Sequence, residues 1–318
     1  MRLIFCFFSI LIYSIGFSQT PAKVQIIPKN NEKKIDVMID GKLFTSYLYS
    51  DSLLNKPILF PLNTAQGHSI VKDFIPKTLT EENAVPSGVW LGFGNANGIN
   101  FWRNADESNA KKFGKVRHTK ILKTKGGNDV GGIEVGMEWV KEDGSELLYQ
   151  NNKYIFRAEG NMRLIDVIIT LTPITEPITF TDSDEGFFAI NLSKEIGLPI
   201  TGSDKIKNSS GAVGIDVIGK KAKWIKLSGK TNNIPVTVSV FDHPLNIAYP
   251  TFWNIRNDGL LSANPLGLKI FTQGKETANF EIPELNSAIF RYRIIIQSQT
   301  NLTDKQINAE YEKFIKLK

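Results

Sequence analysis

The sequence has few of the residues that form disulfide bonds or metal sites. Its one cysteine, Cys6, lies in an N-terminal apolar run, so the chain beyond that run has no disulfide and depends on a hydrophobic core. Its three histidines, His68, His118 and His243, include no close pair such as His-x-His. Because zinc-type sites draw on closely spaced histidines or cysteines, the sequence predicts neither a metal site nor a cofactor.

A long apolar run is absent as well. Residues 3–17 are apolar, but they are fewer than the about 20 residues that span a bilayer. Arg2 precedes this run and small or polar residues, 18–20, follow it, which is typical of a secretory signal peptide. We therefore expect a signal peptide over residues 1–18, with an uncleaved anchor as the alternative. The prediction is a secreted or periplasmic protein with no stable membrane span after cleavage.

The sequence also lacks a basic cluster. Loss of Arg2 with the signal peptide lowers the formal net charge from +6 to +5, and the lysines are scattered among acidic residues. Nucleic-acid binding requires a clustered basic face, so nucleic acid is excluded as the expected partner.

Apolar and polar residues alternate along much of the remaining chain, which is typical of half-buried strands. Asp40-Gly41 supplies a turn between two such runs. The predicted strands are 34–40, 43–49, 115–122, 133–140, 153–158, 162–171, 187–192, 223–228, 235–241 and 289–297. No internal repeat and no Pro/Ser-rich linker divides them. The pattern predicts an all-β fold, a large antiparallel β-sandwich, as a single domain over residues 19–318.

One helix is predicted at the C-terminal end, over residues 303–316. Thr303 and Gln306 form a capping-box pattern, in which each side chain satisfies a backbone donor of the other. Apolar residues recur on one face of this segment at helical spacing: Ile307, Tyr311, Phe314 and Ile315. That stripe indicates a helix packed on a sheet.

Aromatic residues surround a strong turn signal in the segment 90–102. Asn97-Gly98 predicts a hairpin, because both residues tolerate positive φ, and the glycine spacing does not fit a dinucleotide loop. Trp90 and Trp102 flank it, and indole faces provide large, rigid contacts for sugar rings. The segment is interpreted either as a sugar-binding surface or as ordinary core packing.

A second dense group of polar and aromatic residues occupies 241–267. His243 ends a predicted strand and is the side chain best suited to exchange a proton near neutral pH. Adjacent strand residues point to opposite faces, so Asp242 need not orient it, and Arg256 and Glu185 are the candidates for a partner. A structural turn histidine and a surface salt bridge of Arg256 are the alternatives. The turn 182–186 is acidic and is interpreted as solvated rather than as a calcium site.

The order of motifs resembles the secreted bacterial family labelled methane oxygenase PmoA-like. The matching positions are Ile39-Asp40-Gly41-Lys42, Tyr49, Lys56-Pro57, Phe60-Pro61, Gly88, Trp90, Asn97-Gly98, Phe101-Trp102, His118, Trp139, Asp166, Phe180, Glu185-Gly186, Trp224, Asp242-His243-Pro244, Trp253, Arg256, Asn264-Pro265-Leu266-Gly267 and Phe290-Arg291-Tyr292-Arg293. The resemblance implies a secreted β-rich protein with a sugar-related role. Methane oxidation itself is excluded, because the membrane subunit of that name needs several spanning helices.

The sequence departs from that family at several positions. The family's His-Pro-His-His cluster is replaced by Asn83-Ala84-Val85-Pro86, its Trp-His-Ala-Arg reads Trp253-Asn254-Ile255-Arg256, and an expected arginine is Asn191. These losses favour a member with reduced or no catalysis.

Two functions are therefore weighed. The first is binding of a small-molecule or oligosaccharide ligand in a pocket with Trp90, Trp102, Trp253, His118, Asp242 and Asn264 as binding residues, beside His243, Arg256 and Glu185. The alternative is an active carbohydrate lyase, hydrolase or epimerase, with His243 as general acid or base and Arg256 and Glu185 positioning the substrate.

Overall fold

Alternating side chains build twenty strands in the part of the chain that the structure describes. The computed structural model describes residues 23–50, 54–72, 87–103 and 112–317. In chain order the strands are β1 (Lys23–Lys29), β2 (Lys34–Ile39), β3 (Lys42–Leu48), β4 (Ile58–Leu59), β5 (Gly88–Leu91), β6 (Lys115–Lys125), β7 (Gly127–Asn128), β8 (Val130–Val140), β9 (Glu146–Glu159), β10 (Met162–Pro173), β11 (Ile178–Thr181), β12 (Phe188–Asn191), β13 (Ile206–Asn208), β14 (Lys220–Lys221), β15 (Trp224–Thr231), β16 (Ile234–Asp242), β17 (Phe252–Ile255), β18 (Leu260–Asn264), β19 (Asn279–Ile282) and β20 (Ala288–Ser298). The helices are α1 (Leu268–Phe271) and α2 (Asp304–Phe314), with 3-10 turns at Asn30–Glu32 and Gly214–Val217.

The strands form two large sheets and one small one. The ten-stranded sheet has the order β14-β17-β18-β12-β5-β4-β3-β2-β1-β7, and the eight-stranded sheet has the order β13-β15-β16-β20-β10-β9-β8-β6. Strands β11 and β19 pair separately. All pairings between these strands are antiparallel, so the predicted all-β antiparallel sandwich with a C-terminal helix is confirmed.

The core lies between the inner faces of the two large sheets. Phe44 of the ten-stranded sheet meets Phe156 of the eight-stranded sheet edge-on, with ring centroids 6.2 Å apart. Phe188 and Tyr292 stack across the same interface at 4.5 Å. Both contacts belong to one continuous apolar cluster, as expected when two sheets pack face to face.

The predicted turns and helix cap are present. Asn97 and Gly98 have φ of 49° and 83°, and the flanking Ala96 and Ile99 exchange both backbone hydrogen bonds. Thr303 is the N-cap of α2, and both hydrogen bonds of its capping box with Gln306 are made. The predicted hairpin and helix are therefore confirmed.

Helix α2 covers the outer face of the eight-stranded sheet. Ile307, Tyr311 and Phe314 are buried against Phe241 and Trp224 in a second apolar cluster. The packing predicted for this stripe is confirmed. No helix among the described residues is long and apolar enough to cross a membrane, and residues 1–22, where the signal peptide is predicted, lie outside them.

A buried ion network joins α2 to the sheet. Asp166 is fully buried and accepts hydrogen bonds from Arg293 Nε at 2.5 Å, from Arg293 Nη2 at 3.0 Å and from Arg157 Nη1. The Arg293 guanidinium also lies 5.2 Å from the centre of the Phe314 ring. The carboxylate is thus paired on both oxygens, which is what makes its burial tolerable.

We expect Asp166→Asn to lower the free energy of unfolding by about 3–5 kcal/mol, because it leaves the buried Arg293 guanidinium without its counter-charge. Urea unfolding followed by circular dichroism measures the change. Lys141→Ala is the control, since it removes a solvent-exposed pair with Glu176 and should cost less than about 1 kcal/mol. Equal losses in the two variants would contradict the role given to Asp166.

Candidate functional site

A cleft opens on the outer face of the ten-stranded sheet. Its cavity measures about 320 Å³ and is lined by Trp102, Arg103, Asp184, Glu185, Gly186, Asn254, Arg256, Leu260 and Ser262. The alternation of β17 and β18 produces this lining: Trp253, Ile255 and Leu261 belong to the inner core, so Asn254, Leu260 and Ser262 face outward. A neighbouring depression of about 760 Å³ shares Arg103, Asp184 and Glu185 with the cleft and continues toward α1.

Glu185 is held rigidly in the wall of the cleft. Its carboxylate accepts hydrogen bonds from Arg103 Nε and from Asn100 Nδ2, the latter at 3.0 Å. Its backbone N–H donates to Ser183 Oγ at 3.1 Å. The next residue must be glycine, because a Cβ on Gly186 would lie 2.4 Å from the Ser262 side chain. A charge-assisted pair with these supports keeps the carboxylate oriented.

Two tryptophans and a lysine form the wall behind Glu185. Trp90 and Trp102 meet at 4.3 Å in an apolar cluster of their own on the outer face of the sheet. Lys56 is 1% exposed, and its Nζ donates to Asn55 Oδ1 and to the Trp102 carbonyl, both at 2.9 Å. Its Nζ also lies 4.9 Å from the Trp90 ring centre. Burial lowers the pKa of Lys56 to about 7, and the nearby Glu185 charge opposes that shift.

Arg256 also lines the cleft. Its Nη2 donates to Asp258 Oδ2 at 2.6 Å, and its side chain is 54% exposed. The surface salt bridge considered from the sequence is therefore present, and the same guanidinium borders the cavity. The fold brings Arg103, Glu185 and Arg256 together in the lining of the cleft, although they lie on separate segments of the chain.

His243 lies elsewhere. It is 1% exposed, on the outer face of the eight-stranded sheet, where its ring meets Phe314 at 5.0 Å and its Nδ1 accepts from the Leu245 N–H at 3.1 Å. Burial lowers the pKa of His243. The expected pairing of His243 with Arg256 or Glu185 is wrong, because those residues line a cleft on the other sheet.

Asp242 points the other way from His243, as strand alternation predicts. Its carboxylate accepts from Asn246 Nδ2 and from the Thr251 N–H, both at 2.8 Å. Burial raises the pKa of Asp242 to about 7, against the effect of these hydrogen bonds. Asp242 therefore ties the loop after β16 to β17, and it does not line the cleft.

The other predicted binding residues have structural contacts. Trp253 is fully buried and donates from Nε1 to the Ala222 carbonyl at 2.8 Å. Asn264 is fully buried and donates to the Ser183 carbonyl at 2.8 Å, which supports the acidic turn. His118 Nδ1 lies 3.1 Å from Tyr47 Oη, and burial lowers the pKa of His118 to about 4. Of the tryptophans predicted to bind sugar, Trp102 lines the cleft.

The acidic turn is anchored by hydrogen bonds. Asp182 Oδ2 accepts from the backbone N–H groups of Lys269 and Ala278, each at 2.8 Å. Among the described residues, no three His, Cys, Asp or Glu side chains are grouped so that they could hold a metal ion. The stretch 83–86, where the resemblance expects histidines, lies outside the described residues.

The family model that matches residues 34–312 is described as a family of unknown function, DUF6807. The chain belongs to the DUF6807 family. A comparison with curated proteins gives no match. The resemblance to the PmoA-like family stays a prediction.

Solved structures similar to this DUF6807 protein share a low sequence identity with it. They include the GH36 alpha-galactosidase AgaB from Geobacillus stearothermophilus, with 8% identity and a TM-score of 0.47. The match covers 86% of this chain and 41% of the alpha-galactosidase. The galactose 1-epimerase from Lactobacillus acidophilus NCFM (9%, 0.41) matches over 88% of this chain and 100% of that one. The Slr1438 protein from Synechocystis sp. PCC 6803 has 9% identity and a TM-score of 0.37, and the match covers 90% of this chain and 99% of Slr1438. Similarity at these sequence identities and TM-scores does not support a statement about the function of this chain.

Sequence reasoning missed Arg103, which lines the cleft of this DUF6807 protein, and Asn100, which lines the neighbouring depression and supports Glu185. Arg103 directly follows the aromatic segment, and Asn100 lies within it, yet neither was singled out. The available signal was their position at the end of a loop that carries Trp102. Only the pairing of separate segments shows that both residues meet Glu185.

We expect Lys56→Met to reduce the rise of the free energy of unfolding between pH 7 and pH 9.5. The folded pKa of Lys56, about 7, lies below the value of 10.5 for an unperturbed lysine, so the unfolded chain binds more protons between these values. The free energy of unfolding of the natural protein therefore rises as the pH increases from 7 toward 10.5, by at most roughly 1.4 kcal/mol per pH unit.

Urea unfolding at pH 7 and pH 9.5 measures that rise. It should be reduced in Lys56→Met and retained in Lys230→Met, which alters an exposed lysine. An equal rise in both variants would show that Lys56 is not the responsible group.

Proposed function

We propose that this protein is a secreted or periplasmic protein that binds a sugar or sugar derivative in the cleft. The proposal rests on the balance of charges among the residues that line the cleft. They include two arginines, Arg103 and Arg256, and two carboxylates, Asp184 and Glu185. A balanced set offers many hydrogen-bond donors and acceptors without net charge, which suits an uncharged ligand rich in hydroxyl groups.

The other lining residues support a sugar as the ligand. Asn254 and Ser262 add an amide and a hydroxyl from neighbouring strands, and strands hold polar groups in fixed positions. Trp102 contributes an aromatic surface beside them, of the kind that contacts the C–H faces of sugar rings. Few of these groups need to move to bind a ligand, because Glu185 and Trp102 are already held by their neighbours.

The size of the cleft fits a small ligand. Its volume of about 320 Å³ falls at the lower end of the usual range for ligand sites, about 300–1,000 Å³. The adjoining depression shares three residues with it, so a longer oligosaccharide would run from one cavity into the other across Arg103 and Glu185.

An active lyase, hydrolase or epimerase is the second candidate, favoured by the adjacent carboxylates of Asp184 and Glu185 in the cleft. In that case Glu185 acts as the general base, because Arg103 and Asn100 hold its carboxylate in a fixed position at the cleft. His243 has no part in either candidate, since its contacts are with α2.

We expect a thermal-shift screen of mono- and oligosaccharides, including keto-sugars, to find a ligand that raises the unfolding midpoint. Saturation at about 100 times the dissociation constant adds roughly 2.7 kcal/mol, equivalent to several degrees for a domain of this size. Glu185→Gln and Arg256→Ala should each weaken binding at least about tenfold, because each removes a charged hydrogen-bonding partner.

Glu138→Gln is the matched control, because Glu138 also pairs with an arginine, Arg117 at 2.9 Å, but outside the cleft. It should leave the ligand shift unchanged. No shift with any saccharide would refute the proposal. Release of a product that depends on Glu185 would favour the enzyme.

A further inference from the structure

A second concave site lies on the outer face of the eight-stranded sheet, beside the part that α2 covers. It is a groove of about 540 Å³ over β6, β8 and β9, and we name it the lysine groove after Lys123, Lys125 and Lys153 in its lining. Arg157 and Glu134 also line it. The groove shares no residue with the cleft.

The strand register brings the charged residues of the lysine groove together. Lys123 pairs with Glu134, and Glu134 pairs with Lys153, so these three form one row across the sheet. Lys125 lies two residues from Lys123 and therefore on the same face. The neighbours of this row, Ile133 and Tyr154, belong to the inner core, which confirms that the row faces outward.

Glycines make the surface concave at this point. Lys125 pairs with Gly132, which presents no side chain, and Gly126, Gly127 and Gly131 also line the groove. The Cβ direction of Gly131 faces inward, where it would lie 2.6 Å from Val24, so Gly131 does not shape the outer face. On the outer face, the missing side chain of Gly132 leaves a recess beside Lys125.

The positive charge of the lysine groove is only partly offset by its own neighbours, because Glu134 is the one carboxylate in its lining. Arg157 is engaged by Asp166, and Glu134 Oε1 accepts from Asn151 Nδ2 at 3.2 Å. Lys123, Lys125 and Lys153 are exposed and form no ion pair with a carboxylate of the described residues. Lysines commonly protect a sheet edge such as β6 from pairing, but Lys153 lies on β9, inside the sheet, where that purpose does not apply.

We propose that the lysine groove binds an anionic polysaccharide, through carboxylate or sulfate groups spaced along a linear chain. Flexible ammonium groups on three strand positions around a recess suit such a series of charges. The lining has no aromatic side chain on which nucleic-acid bases would stack. The inference is independent of the cleft and of the ligand proposed for it.

The test compares two triple variants of the full mature chain. Lys123→Gln, Lys125→Gln and Lys153→Gln together remove the lysines of the groove. The control carries Lys205→Gln, Lys220→Gln and Lys230→Gln, three exposed lysines elsewhere, and loses the same charge. Binding to polygalacturonate, dextran sulfate and uncharged dextran is measured by fluorescence anisotropy at low and physiological salt.

We expect the natural protein to bind at least one of the two polyanions and not dextran, with an affinity that falls as salt rises. The groove variant should lose at least tenfold in affinity, and the control less than twofold. Equal losses in both variants, or no polyanion binding at low salt, would overturn the proposal. Tighter binding to single-stranded DNA or to anionic vesicles than to both polyanions would overturn it as well.

The cleft and the groove are distinguished in the same experiment. Glu185→Gln should retain polyanion binding, and the groove variant should retain any saccharide shift found for the cleft. Loss of polyanion binding in Glu185→Gln would place that ligand in the cleft and refute the lysine groove.

Discussion

The two-residue period of the strands is the constraint on which the rest of the structure depends. Packing one face of each sheet against the other forms the core, and it leaves two outer faces that must be covered or remain exposed. On the eight-stranded sheet the cover is α2, which packs on the sheet through Phe314, with the Arg293 guanidinium over the Phe314 ring. On the ten-stranded sheet it is a loop that brings Trp102 onto Trp90. Among the described residues, the cleft lies beside Trp102, over the outward-facing residues of β17 and β18.

A buried charged residue lies beneath α2 and another lies next to Trp102, and the two charges are stabilised in different ways. Asp166 has a guanidinium on each oxygen, so it joins the sheet to the residues beneath α2 as a fixed ionic contact. Lys56 is held by neutral acceptors, Asn55 Oδ1 and the Trp102 carbonyl, while its countercharge on Glu185 acts from farther away. Burial is therefore less fully compensated at Lys56, and its pKa falls. The position of the loop with Trp102 thus depends on a lysine that titrates near neutral pH.

The sequence predicts the parts of the fold that follow from local patterns. Alternation, the Asn97-Gly98 turn and the cap of α2 are local, and the structure confirms them. The start of β9 was placed too late, at residue 153, because Gln150 and Asn152 interrupt the apolar pattern. These amides are buried and hydrogen-bonded in a row from Trp139 through Gln150 and Asn152 to Tyr154, so the strand continues through them.

The site depends on contacts between distant segments, and local patterns predicted it less well. Asp242 and His243 are neighbours in the chain but lie on opposite faces of a strand, whereas Arg103 and Glu185 are 82 residues apart and form an ion pair. Asn254 faces the cleft at the position where the resemblance expects a histidine. An amide donates and accepts hydrogen bonds but does not exchange a proton. The nearby group that titrates near neutral pH is Lys56, whose Nζ is enclosed behind Trp102. A ligand in the cleft would have to displace that packing to reach it, so the arrangement favours binding over proton transfer.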